Sequence, residues 1–427
     1  MLSPALVSAE NPLGIGVLTS SGDLLAPFGV LDLTTPEPDD TALGLAVERG
    51  GVTTRLLGPG DAAPDTTGVI ERFSSFFSLT HSGRIAVRIQ MQPGVGGVVG
   101  RNASGVWGGP IDDVRLIARD DDPAPGTGGA PFDVIGAPVT NGHGDIVFTS
   151  RLGRGPGVVS SNNSGVWRSR EGASVEAVAR EGDAAPGAGG AVFGDFIDAR
   201  LFAGGDGGFA ILASLAPGAG VDASNDTGLW RVDGESIELL ARAGDTAPGT
   251  HGAVFERFEQ IGGVDSGEYA FIGVLREGVG GVVEQNNRGL WGVDASGEIG
   301  LIQRTGQSVT VENFQGETEA LVITGIGFLA NEGLADNGWL GYAVSFDGGA
   351  SAVYRTRLGE DASGCAADLD GDGDVDLGDF GFFGMVFGLS LVDAGYEEGA
   401  DFDGDGVIDL SDFGLFGAQF GRTGCTE

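Results

Sequence analysis

The sequence contains no lysine, and all 23 of its basic residues are arginine. Against them stand 61 acidic residues, which gives a net charge of −38. Because nucleic acids bind proteins through basic patches, this balance excludes a nucleic-acid partner and disfavours anionic membrane surfaces. No apolar stretch reaches the roughly 18 residues that a membrane-spanning helix needs, so no membrane span is expected.

Histidine is also scarce, with only His81, His143 and His251. The first two fall in or beside predicted hairpin turns, and the third lies in a glycine-rich segment. We find no serine or cysteine nucleophile with a histidine partner, no G-x-S-x-G motif and no zinc-ligand spacing. The sequence therefore favours a non-catalytic protein and leaves an enzyme as the alternative.

The chain up to residue 357 is a tandem repeat of about 61 residues. The segments GDAAPD, DDPAPG, GDAAPG and GDTAPG place an aspartate at Asp61, Asp122, Asp183 and Asp245. A second motif, N-x-x-G-x-W, ends at Trp107, Trp167, Trp230 and Trp291. Ala46 and Tyr354 occupy the tryptophan position in the outer copies, so six copies are visible.

Each copy contains four short apolar segments that predict β-strands, with a tight glycine turn between the second and third. The turn dipeptides are Ser21-Gly22, Ser82-Gly83, His143-Gly144, Asp206-Gly207, Ser266-Gly267 and Asn337-Gly338. Six units of this length predict an all-β, six-bladed β-propeller. A β-helix would have shorter coils, and separate sandwiches would have longer units. Residues 1–12 are the candidate for the opening strand that the first copy lacks.

In such a propeller the longer connections lie at one end of the blades, which we call the loop face. It would carry the GDxAPG segments and the loops Pro93–Ala103, Gly153–Ser164, Pro217–Thr227 and Gly278–Arg288. Binding residues usually lie on loops held by a rigid scaffold.

Three sets of repeated residues belong to this face. Arg119, Arg180, Arg242 and Arg304 lie three residues before the aspartate position, which predicts a ring of Arg and Asp with Asp61, Asp122, Asp183 and Asp245. The ring is expected to make structural hydrogen bonds between blades; recognition of an anion or another ligand is the alternative. Asn102, Asn162, Asn225 and Asn286 are expected to cap loop turns rather than to bind a ligand, and the tryptophans to form the core between blades.

These motifs resemble those of bacterial secreted tandem-repeat proteins of the choice-of-anchor type, which carry varied C-terminal anchoring modules. The resemblance covers about residues 13–357. It implies display at the cell surface and no particular chemistry.

The C-terminal region has aspartate at almost every second position. Calcium loops of the EF-hand type place oxygen ligands at positions 1, 3, 5, 7, 9 and 12, with glycine at position 6. The first loop matches with Asp368, Asp370, Asp372, Gly373, Asp374, Asp376 and Asp379. The second, 33 residues later, matches with Asp401, Asp403, Asp405, Gly406, Val407, Asp409 and Asp412, where position 7 offers a backbone carbonyl. The sequence therefore predicts two bound Ca²⁺ ions; a solvated acidic tail is the alternative.

A helix is predicted only after each loop, with phenylalanines at helical spacing for a small shared core. This duplicated loop-helix unit resembles the type I dockerin module over about residues 365–425. The resemblance implies calcium-dependent folding and docking to a cohesin. Dockerins usually carry a polar pair at loop positions 10 and 11 for cohesin recognition, and Leu377-Gly378 and Leu410-Ser411 depart from it.

The only cysteines, Cys365 and Cys425, lie at the two ends of this module. A duplicated unit brings its ends together, so a disulfide is expected, with two free thiols as the alternative. A disulfide and calcium loops both suit an oxidising, extracellular compartment. No signal peptide is recognisable in MLSPALVSAE, which is interpreted as a trimmed or misassigned start.

The predicted domains are a propeller over 1–357, a linker over 358–364 and a dockerin-like module over 365–427. The predicted function is a secreted or cell-surface binding or scaffold protein. The loop face would present a glycan or protein site, and the module would attach to a cohesin-like or other surface protein. The alternative is a calcium-assisted enzyme that acts on polysaccharides or phosphoesters.

Overall fold

The computed structural model describes most of the chain between Val17 and Gly421. The described residues are 17–18, 24–29, 43–49, 52–80, 82–196, 200–203, 208–218, 220–263, 268–294, 297–312, 318–328, 339–358, 367–370, 372, 374–390, 393, 395–402 and 406–421. They fall into two compact units, Met1–Leu239 and Leu240–Glu427.

The first unit is built from β-strands. They are β1 (Val17–Leu18), β2 (Leu24–Gly29), β3 (Leu43–Arg49), β4 (Val52–Leu57), β5 (Ile70–Leu79), β6 (Arg84–Met91), β7 (Ser104–Pro110), β8 (Arg115–Arg119), β9 (Phe132–Ile135), β10 (Val139–Thr140), β11 (Ile146–Leu152), β12 (Ser164–Ser169), β13 (Glu176–Arg180), β14 (Arg200–Ala203), β15 (Phe209–Ser214), β16 (Thr227–Asp233) and β17 (Ser236–Arg242), the last of which runs into the second unit.

The second unit contains further strands and two helices. They are β18 (Phe255–Gly263), β19 (Tyr269–Leu275), β20 (Arg288–Val293), β21 (Ile299–Arg304), β22 (Ser308–Glu312), β23 (Thr318–Phe328), β24 (Trp339–Phe346), β25 (Ser351–Arg357), α1 (Leu377–Val386) and α2 (Leu410–Gln419). Among the described residues, neither helix nor any other element has the length and apolar character of a membrane-crossing helix.

The strands form antiparallel sheets in which neighbours in sequence are neighbours in space. The sheets of the described residues are β1–β4, β5–β8, β9–β13, β14–β17, β18–β21 and β22–β25. In the third sheet, β9 and β10 both pair with β11, so one strand is broken in two around Gly136. The prediction of an all-β body made of four-stranded repeats is confirmed at this level.

The sixth sheet departs from the repeat. Gly306 N bonds to Ile323 O and Ile323 N to Gln307 O, as Gly244, Phe255 and Asp245 do one copy earlier. This correspondence makes β23, β24 and β25 the counterparts of β18, β19 and β20. The fourth strand, β22, lies on the opposite side of β23, and the sheet order is β22-β23-β24-β25. Residues 1–12, predicted to complete the first copy, lie outside the described residues.

The core lies between neighbouring sheets. One cluster joins Val166 of β12 to Trp230 of β16, and another joins Val106 of β7 to Trp167 of β12. The second and third strands of each central repeat alternate little and are buried almost throughout; β12, for example, is buried at every residue. The four repeated tryptophans are fully buried, and Trp167, Trp230 and Trp291 contact phenylalanine rings edge-on, with centroids 4.9–5.1 Å apart. These rings supply much of the apolar area that stabilises each sheet.

Candidate functional site

The GDxAPG segments, which we call the straps, cross the sheet that follows them in the chain. The indole Nε1 of each repeated tryptophan donates a hydrogen bond to the carbonyl oxygen of the strap proline. The pairs are Trp107–Pro64 at 2.9 Å, Trp167–Pro125 at 3.1 Å, Trp230–Pro186 at 3.0 Å and Trp291–Pro248 at 2.9 Å. The tryptophan and the proline of these motifs therefore hold the strap to its sheet.

The glycine two residues before each tryptophan leaves room for the indole. A Cβ atom on Gly105, Gly165, Gly228 or Gly289 would lie between 2.6 and 2.9 Å from the tryptophan ring. No side chain fits at that distance, so the G-x-W spacing is a packing requirement. The buried tryptophans confirm the prediction of a core role.

The last strap residue contacts the fourth strand of the same sheet. A Cβ on Gly187 would lie 2.7 Å from Leu239 Cβ, and one on Gly249 would lie 2.6 Å from Leu301 Cβ. Asp65 takes this place in the first strap, and its carboxylate accepts the backbone N–H of Leu116 at 3.1 Å. The strap is thus fixed to two strands of its sheet.

The repeated asparagines cap the long loops, as predicted. Each Oδ1 accepts a backbone N–H from the residue three positions earlier, as in Val159–Asn162 at 2.8 Å and Val283–Asn286 at 2.7 Å. Asn162 Nδ2 also donates to Gly157 O at 3.0 Å. These amides are committed to the loop conformation.

The repeated Arg and Asp residues make two kinds of contact, one through the arginine side chains and one through the aspartate carboxylates. The Arg119, Arg180 and Arg304 side chains donate to the carbonyl oxygens of Asn102, Asn162 and Asn286 at 2.6–2.7 Å. Asp183 Oδ2 accepts the backbone N–H of Arg180 at 2.8 Å, and Gln307 accepts that of Arg304 at the same distance. Asp122 and Asp245 likewise accept from the backbone of Arg119 and Arg242, and burial raises the pKa of both carboxyls.

The bonds of the arginine side chains lie within one sheet and its loops, whereas each aspartate turn joins the last strand of one sheet to the strap of the next. The ring of Arg and Asp stays a prediction. Asp61 pairs with Arg55 rather than with a ring arginine, at 2.8 Å. Arg119 opposes the rise in the pKa of Asp122, and Arg242 opposes that of Asp245. The aspartate closes a turn with the backbone, and its arginine supports the neighbouring loop.

One buried acid on this side of the molecule was not singled out by the sequence. Asp120 is 7% exposed, and its Oδ1 accepts the backbone N–H of Ile135 at 3.2 Å. Burial raises its pKa to about 6, with Asp133 and Asp122 acting in the same direction and Arg88 opposing them. The run of three aspartates at 120–122, where the corresponding triplets of the other copies have one aspartate or none, was the available signal.

Two of the three histidines lie in described connections between strands. His143 lies between β10 and β11 and His251 between β17 and β18, both exposed. His81 lies outside the described residues. The tight turns of the two described copies contain Gly83 and Gly144 with φ of 74° and 101°, which confirms the glycine requirement.

The C-terminal region contains the candidate metal centre. Carboxylate oxygens of Asp368, Asp370 and Asp372 all lie within 4.8 Å of one another. These are positions 1, 3 and 5 of the first predicted loop. Asp372 N donates to Asp368 Oδ1 at 3.1 Å, which folds the loop around the cluster.

Asp376 and Asp379, which the sequence predicts as further ligands of this loop, lie at the start of α1. Asp376 and Asp379 form a capping box at the start of α1, where Asp376 Oδ1 accepts Gly378 N at 2.6 Å and Asp379 Oδ2 accepts Asp376 N at 2.8 Å. The buried Asp379 also accepts from Leu369 N and Asp370 N. These bonds hold the end of the loop to its beginning and to the helix.

Asp374, at position 7, has a buried Oδ1 without a hydrogen-bond partner. Repulsion by Asp372 raises the pKa of Asp374, and desolvation together with Asp379 and Asp372 raises that of Asp370. A hard cation held by the cluster would neutralise this repulsion. The donor set is all oxygen, which suits Ca²⁺.

The second loop is described in part. Asp401 at position 1 is buried, and its Oδ2 accepts Gly406 N at 2.8 Å and the Tyr396 hydroxyl at 2.5 Å. Asp409 and Asp412 repeat the capping box at the start of α2. Gly373, Asp403 and Asp405 lie outside the described residues, as do Cys365 and Cys425, so the disulfide stays a prediction.

The two helices share a core and expose one apolar face. Phe383 and Phe416 are buried and stack with centroids 5.3 Å apart. Leu377 and Leu410, at loop position 10 in each repeat, are 73% and 76% exposed. A Cβ at Gly381 or Gly384 would meet nothing within 4 Å, so this face is open.

A family model matches residues 28–349, three quarters of the chain. The chain belongs to a family of unknown function, DUF7453. No curated protein matches it at a significant level.

Several solved structures resemble the DUF7453 chain weakly. A sialidase from Trypanosoma rangeli, in complex with the inhibitor DANA, is 10% identical with a TM-score of 0.33 over 84% of this chain and 57% of its own. An acylaminoacyl peptidase from Pyrococcus horikoshii is 10% identical with a TM-score of 0.36 over 80% and 51%. An α-L-arabinofuranosidase from Fusarium graminearum is 10% identical with a TM-score of 0.32 over 82% and 95%. The chain thus spans little more than half of the first two proteins.

The DUF7453 region and the candidate metal centre occupy separate parts of the sequence. The match contains all four straps and all four repeated tryptophans, and it ends at Gly349, before the first calcium loop begins at Asp368. The motifs that define the repeats are therefore inside the family region, and the aspartate loops follow it.

Proposed function

We propose that this protein is a secreted or cell-surface binding or scaffold protein. Its six sheets are the blades of a β-propeller over residues 1–357, and its C-terminal residues 365–427 form a dockerin-like module that folds around two Ca²⁺ ions. The loop face presents a glycan or a protein site. The observation that carries the proposal is the convergence of Asp368, Asp370 and Asp372 beside the unpartnered Asp374 Oδ1.

Calcium would be held by the residues of the two loops. In the first, Asp368, Asp370 and Asp372 supply side-chain oxygens and position 7 a backbone carbonyl, with Asp376 and Asp379 completing the pattern. A carboxylate has about four lone-pair sites, so the hydrogen bonds that Asp379 accepts leave capacity for an ion. Bound calcium would supply charge neutralisation and fix the loop.

The commitment of the repeated polar side chains supports the non-catalytic role. Asn, Arg, Asp and Trp of the motifs are used to hold straps and loops to their own sheets. What remains for recognition is the set of residues that differ between copies. A surface of this kind suits binding, because each loop can vary without loss of the scaffold.

The module is proposed to attach the protein to a cohesin-like or other surface protein. Its open helix face carries Leu377 and Leu410 where dockerins usually have a polar pair. The last 67 residues hold 16 acidic residues and one arginine, a charge of −15. The partner should therefore offer an apolar patch with a basic rim.

The extracellular location and the Cys365–Cys425 disulfide belong to the same proposal. Ala367 N donates to Gln419 Oε1 at 3.2 Å, so the chain near the first cysteine lies close to the end of α2. This contact supports a bond between the two ends of the module.

A polysaccharide-active or phosphoester-active enzyme is the second candidate, and Asp120 favours it. A buried carboxyl with a pKa of about 6 can hold a proton near neutral pH and give it up, as a general acid does. The candidate would require substrate access to this side chain.

Two measurements test the proposal on the full-length protein. After EDTA treatment, calorimetric titration with calcium chloride should give two bound ions, and Asp370→Asn and Asp403→Asn should each remove one. The exposed Asp233→Asn is the control and should keep both. No binding at millimolar calcium would refute the metal-folded module.

The second measurement separates binding from catalysis. The protein is incubated with a panel of anionic and neutral polysaccharides, and both retention and release of reducing ends are recorded. Retention without release supports the binding role. Release that Asp120→Asn abolishes would replace that role with the enzymatic one.

A further inference from the structure

A row of polar side chains crosses the second sheet at the end that leads into the long loop Pro93–Ala103. Arg72 of β5 pairs with Gln90 of β6, and Gln90 pairs with Ser104 of β7. The register of β7 with β8 continues to Asp120, whose backbone N–H donates to Ser104 O at 2.9 Å. Residues that pair directly across antiparallel strands share a face, so these four side chains lie on the same side of the sheet.

This side of the second sheet packs against the third sheet. Val106 belongs to the apolar cluster between the two sheets. Arg88, which pairs with Val106 and lies two residues before Gln90, is on the same side. Ile135 of β9 donates its N–H to Asp120 Oδ1 at 3.2 Å. The contact between the two sheets is therefore apolar in its middle and polar where it meets the loops.

The arginine at this place is particular to the second sheet. In the same register, strands β11, β15 and β19 have Thr149, Leu212 and Ile272, and all three are buried. Leu212 and Ile272 show that an apolar side chain satisfies the packing of a sheet at this position. Arg88 is half-buried there, and the partial loss of its hydration costs free energy. The fold alone does not explain its presence.

Arg88 and Asp120 both keep polar atoms without a partner. Within the part of the chain that the structure describes, no hydrogen bond or ion pair holds the Arg88 guanidinium, and Asp120 Oδ2 accepts no hydrogen bond. Neither residue is among those whose unpartnered polar atoms are fully buried. The open atoms of both side chains therefore reach solvent.

The next contact between sheets, the one between the third and the fourth, closes the same place with its own groups. Glu181 stands where Asp120 does, and its Oε2 accepts Asn163 N at 3.0 Å and the Ser164 hydroxyl at 3.3 Å. Ser164 Oγ in turn accepts Phe196 N at 3.0 Å. An acid at this position can thus be engaged within the protein, whereas Asp120 Oδ2 is left open beside an arginine.

We propose that Arg88 and Asp120 bind the carboxylate group of an acidic sugar. This inference deepens the proposed glycan binding and rests on it. Arg88 supplies charge-assisted N–H donors, and its single positive charge matches one carboxylate. Gln90 adds a donor, because its Oε1 accepts Arg72 Nε at 3.0 Å and Nη2 at 2.6 Å, which leaves the amide N–H groups for a ligand.

The protonation of Asp120 should control the affinity. Burial raises the pKa of this carboxyl to about 6, Asp133 and Asp122 act in the same direction, and Arg88 opposes them. The protonated form donates a hydrogen bond from Oδ2 to the sugar carboxylate, and the ionised form repels it. Affinity should therefore be full below about pH 5 and fall by about tenfold per pH unit above 6.

The experiment titrates the full-length protein with a trisaccharide of galacturonic acid by calorimetry, at about 0.15 M salt so that the net charge of −38 is screened. The corresponding galactose trisaccharide, which lacks the carboxylates, is the matched ligand and should bind at least about tenfold more weakly. Arg88→Leu, which repeats the side chain of Leu212, should fold and lose affinity by about tenfold or more. Arg115→Leu, at the exposed far end of β8, is the control and should keep it.

A second variant tests the role of the acid. Asp120→Asn offers an N–H donor at every pH, so its affinity should be the same at pH 5 and pH 7, whereas that of the wild type should fall. A wild-type affinity that does not change between these pH values would overturn the site. So would an Arg88→Leu variant that folds, as judged by far-UV circular dichroism, and binds as tightly as the wild type.

The remaining outcomes separate this inference from the proposed function. Retention on a neutral polysaccharide without binding of the galacturonic acid trisaccharide would overturn the carboxylate site and leave glycan binding in place. Equal affinity for a sulfated galactose oligosaccharide would overturn the assignment to a carboxylate. A protein that binds no sugar at all would overturn both this inference and the glycan part of the proposed function.

Discussion

The glycine two residues before each repeated tryptophan should be intolerant of even one methyl group. In the Gly228→Ala variant, the new Cβ would lie 2.6 Å from Trp230 Cη2 and 2.8 Å from Cζ3. The indole cannot move away easily, because its Nε1 bonds to Pro186 O at 3.0 Å and its ring packs on Phe193. Overpacking of this kind costs about 1–3 kcal/mol. A gain in backbone entropy of about 0.5–1 kcal/mol offsets part of it.

The effects of substituting Gly228 and Trp230 on stability should be coupled. Trp230→Phe removes the N–H donor and leaves a cavity, which should cost about 2–4 kcal/mol. The double variant Gly228→Ala/Trp230→Phe should be destabilised by at least about 1 kcal/mol less than the sum, because the smaller ring no longer meets the new methyl group.

Urea unfolding of the full-length protein, followed by far-UV circular dichroism, measures each member of this cycle without relying on tryptophan fluorescence. Gly100→Ala is the control, since a Cβ there would meet nothing within 4 Å. A Gly228→Ala variant as stable as the wild type, or a cycle that is strictly additive, would refute the packing argument.

Two further predictions concern charged groups of the first unit. Burial raises the pKa of Asp120 to about 6, so the folded state binds this proton more tightly than the unfolded state does. The resulting stability is fully present below about pH 4 and is lost as pH rises through 6. At 1.36 kcal/mol per pH unit the cost at pH 7 is about 3 kcal/mol, and solvent screening reduces it to about 1–2 kcal/mol. Asp120→Asn should therefore raise the urea midpoint at pH 7 but not at pH 4. A higher midpoint at pH 4 as well would contradict the raised pKa of Asp120. The exposed Asp233→Asn is the control and should change the midpoint at neither pH. Arg168 is buried and contacts Glu176 and Glu235. The Arg168→Met variant should lose about 1–3 kcal/mol of unfolding free energy because the packing of the side chain and its ion pairs change together. Glu235→Gln should cost less than about 1 kcal/mol because this glutamate is 85% exposed, and equal losses in the two variants would show that the charge pair, not packing, dominates.

The repeat could be recognised in the sequence because its motifs consist of residues that few others can replace structurally. A tryptophan repeated at the start of a strand beside valine or leucine predicted a buried core position, although not the partner of its N–H. The partner lies 42 to 44 residues earlier in the chain, and only the course of the strap across the sheet brings Pro186 to Trp230. Local patterns do not contain that information.

The sixth sheet shows a different limit. No strand was identified from the sequence at Ser308–Glu312, because this segment has no counterpart in the other copies. The structure places it as β22 beside β23. Ile323 and Gln307 reproduce the hydrogen bonds of the earlier copies, and these bonds, not the count of strands, reveal the register.

The candidate metal centre was the most predictable part, because loop geometry constrains spacing within twelve residues. Positions 1, 3 and 5 of the first loop come together as the pattern requires. The hydrogen bonds between the two loops, Gly388 N to Ile408 O and Gly421 N to Val375 O, were not predictable in the same way. Spacing within one loop does not say which helix end meets it.

Residues that recur in the copies and residues that differ between them have different physical roles. A side chain present in every copy has been used to hold a strap or a loop, and its hydrogen-bonding groups are committed to that task. The ligand site that we propose would therefore be built from residues at which the copies differ. Asp120, a buried acid where the next copy has Glu181 and the following one Ala243, is such a residue, and a search for recognition or chemistry should begin with it.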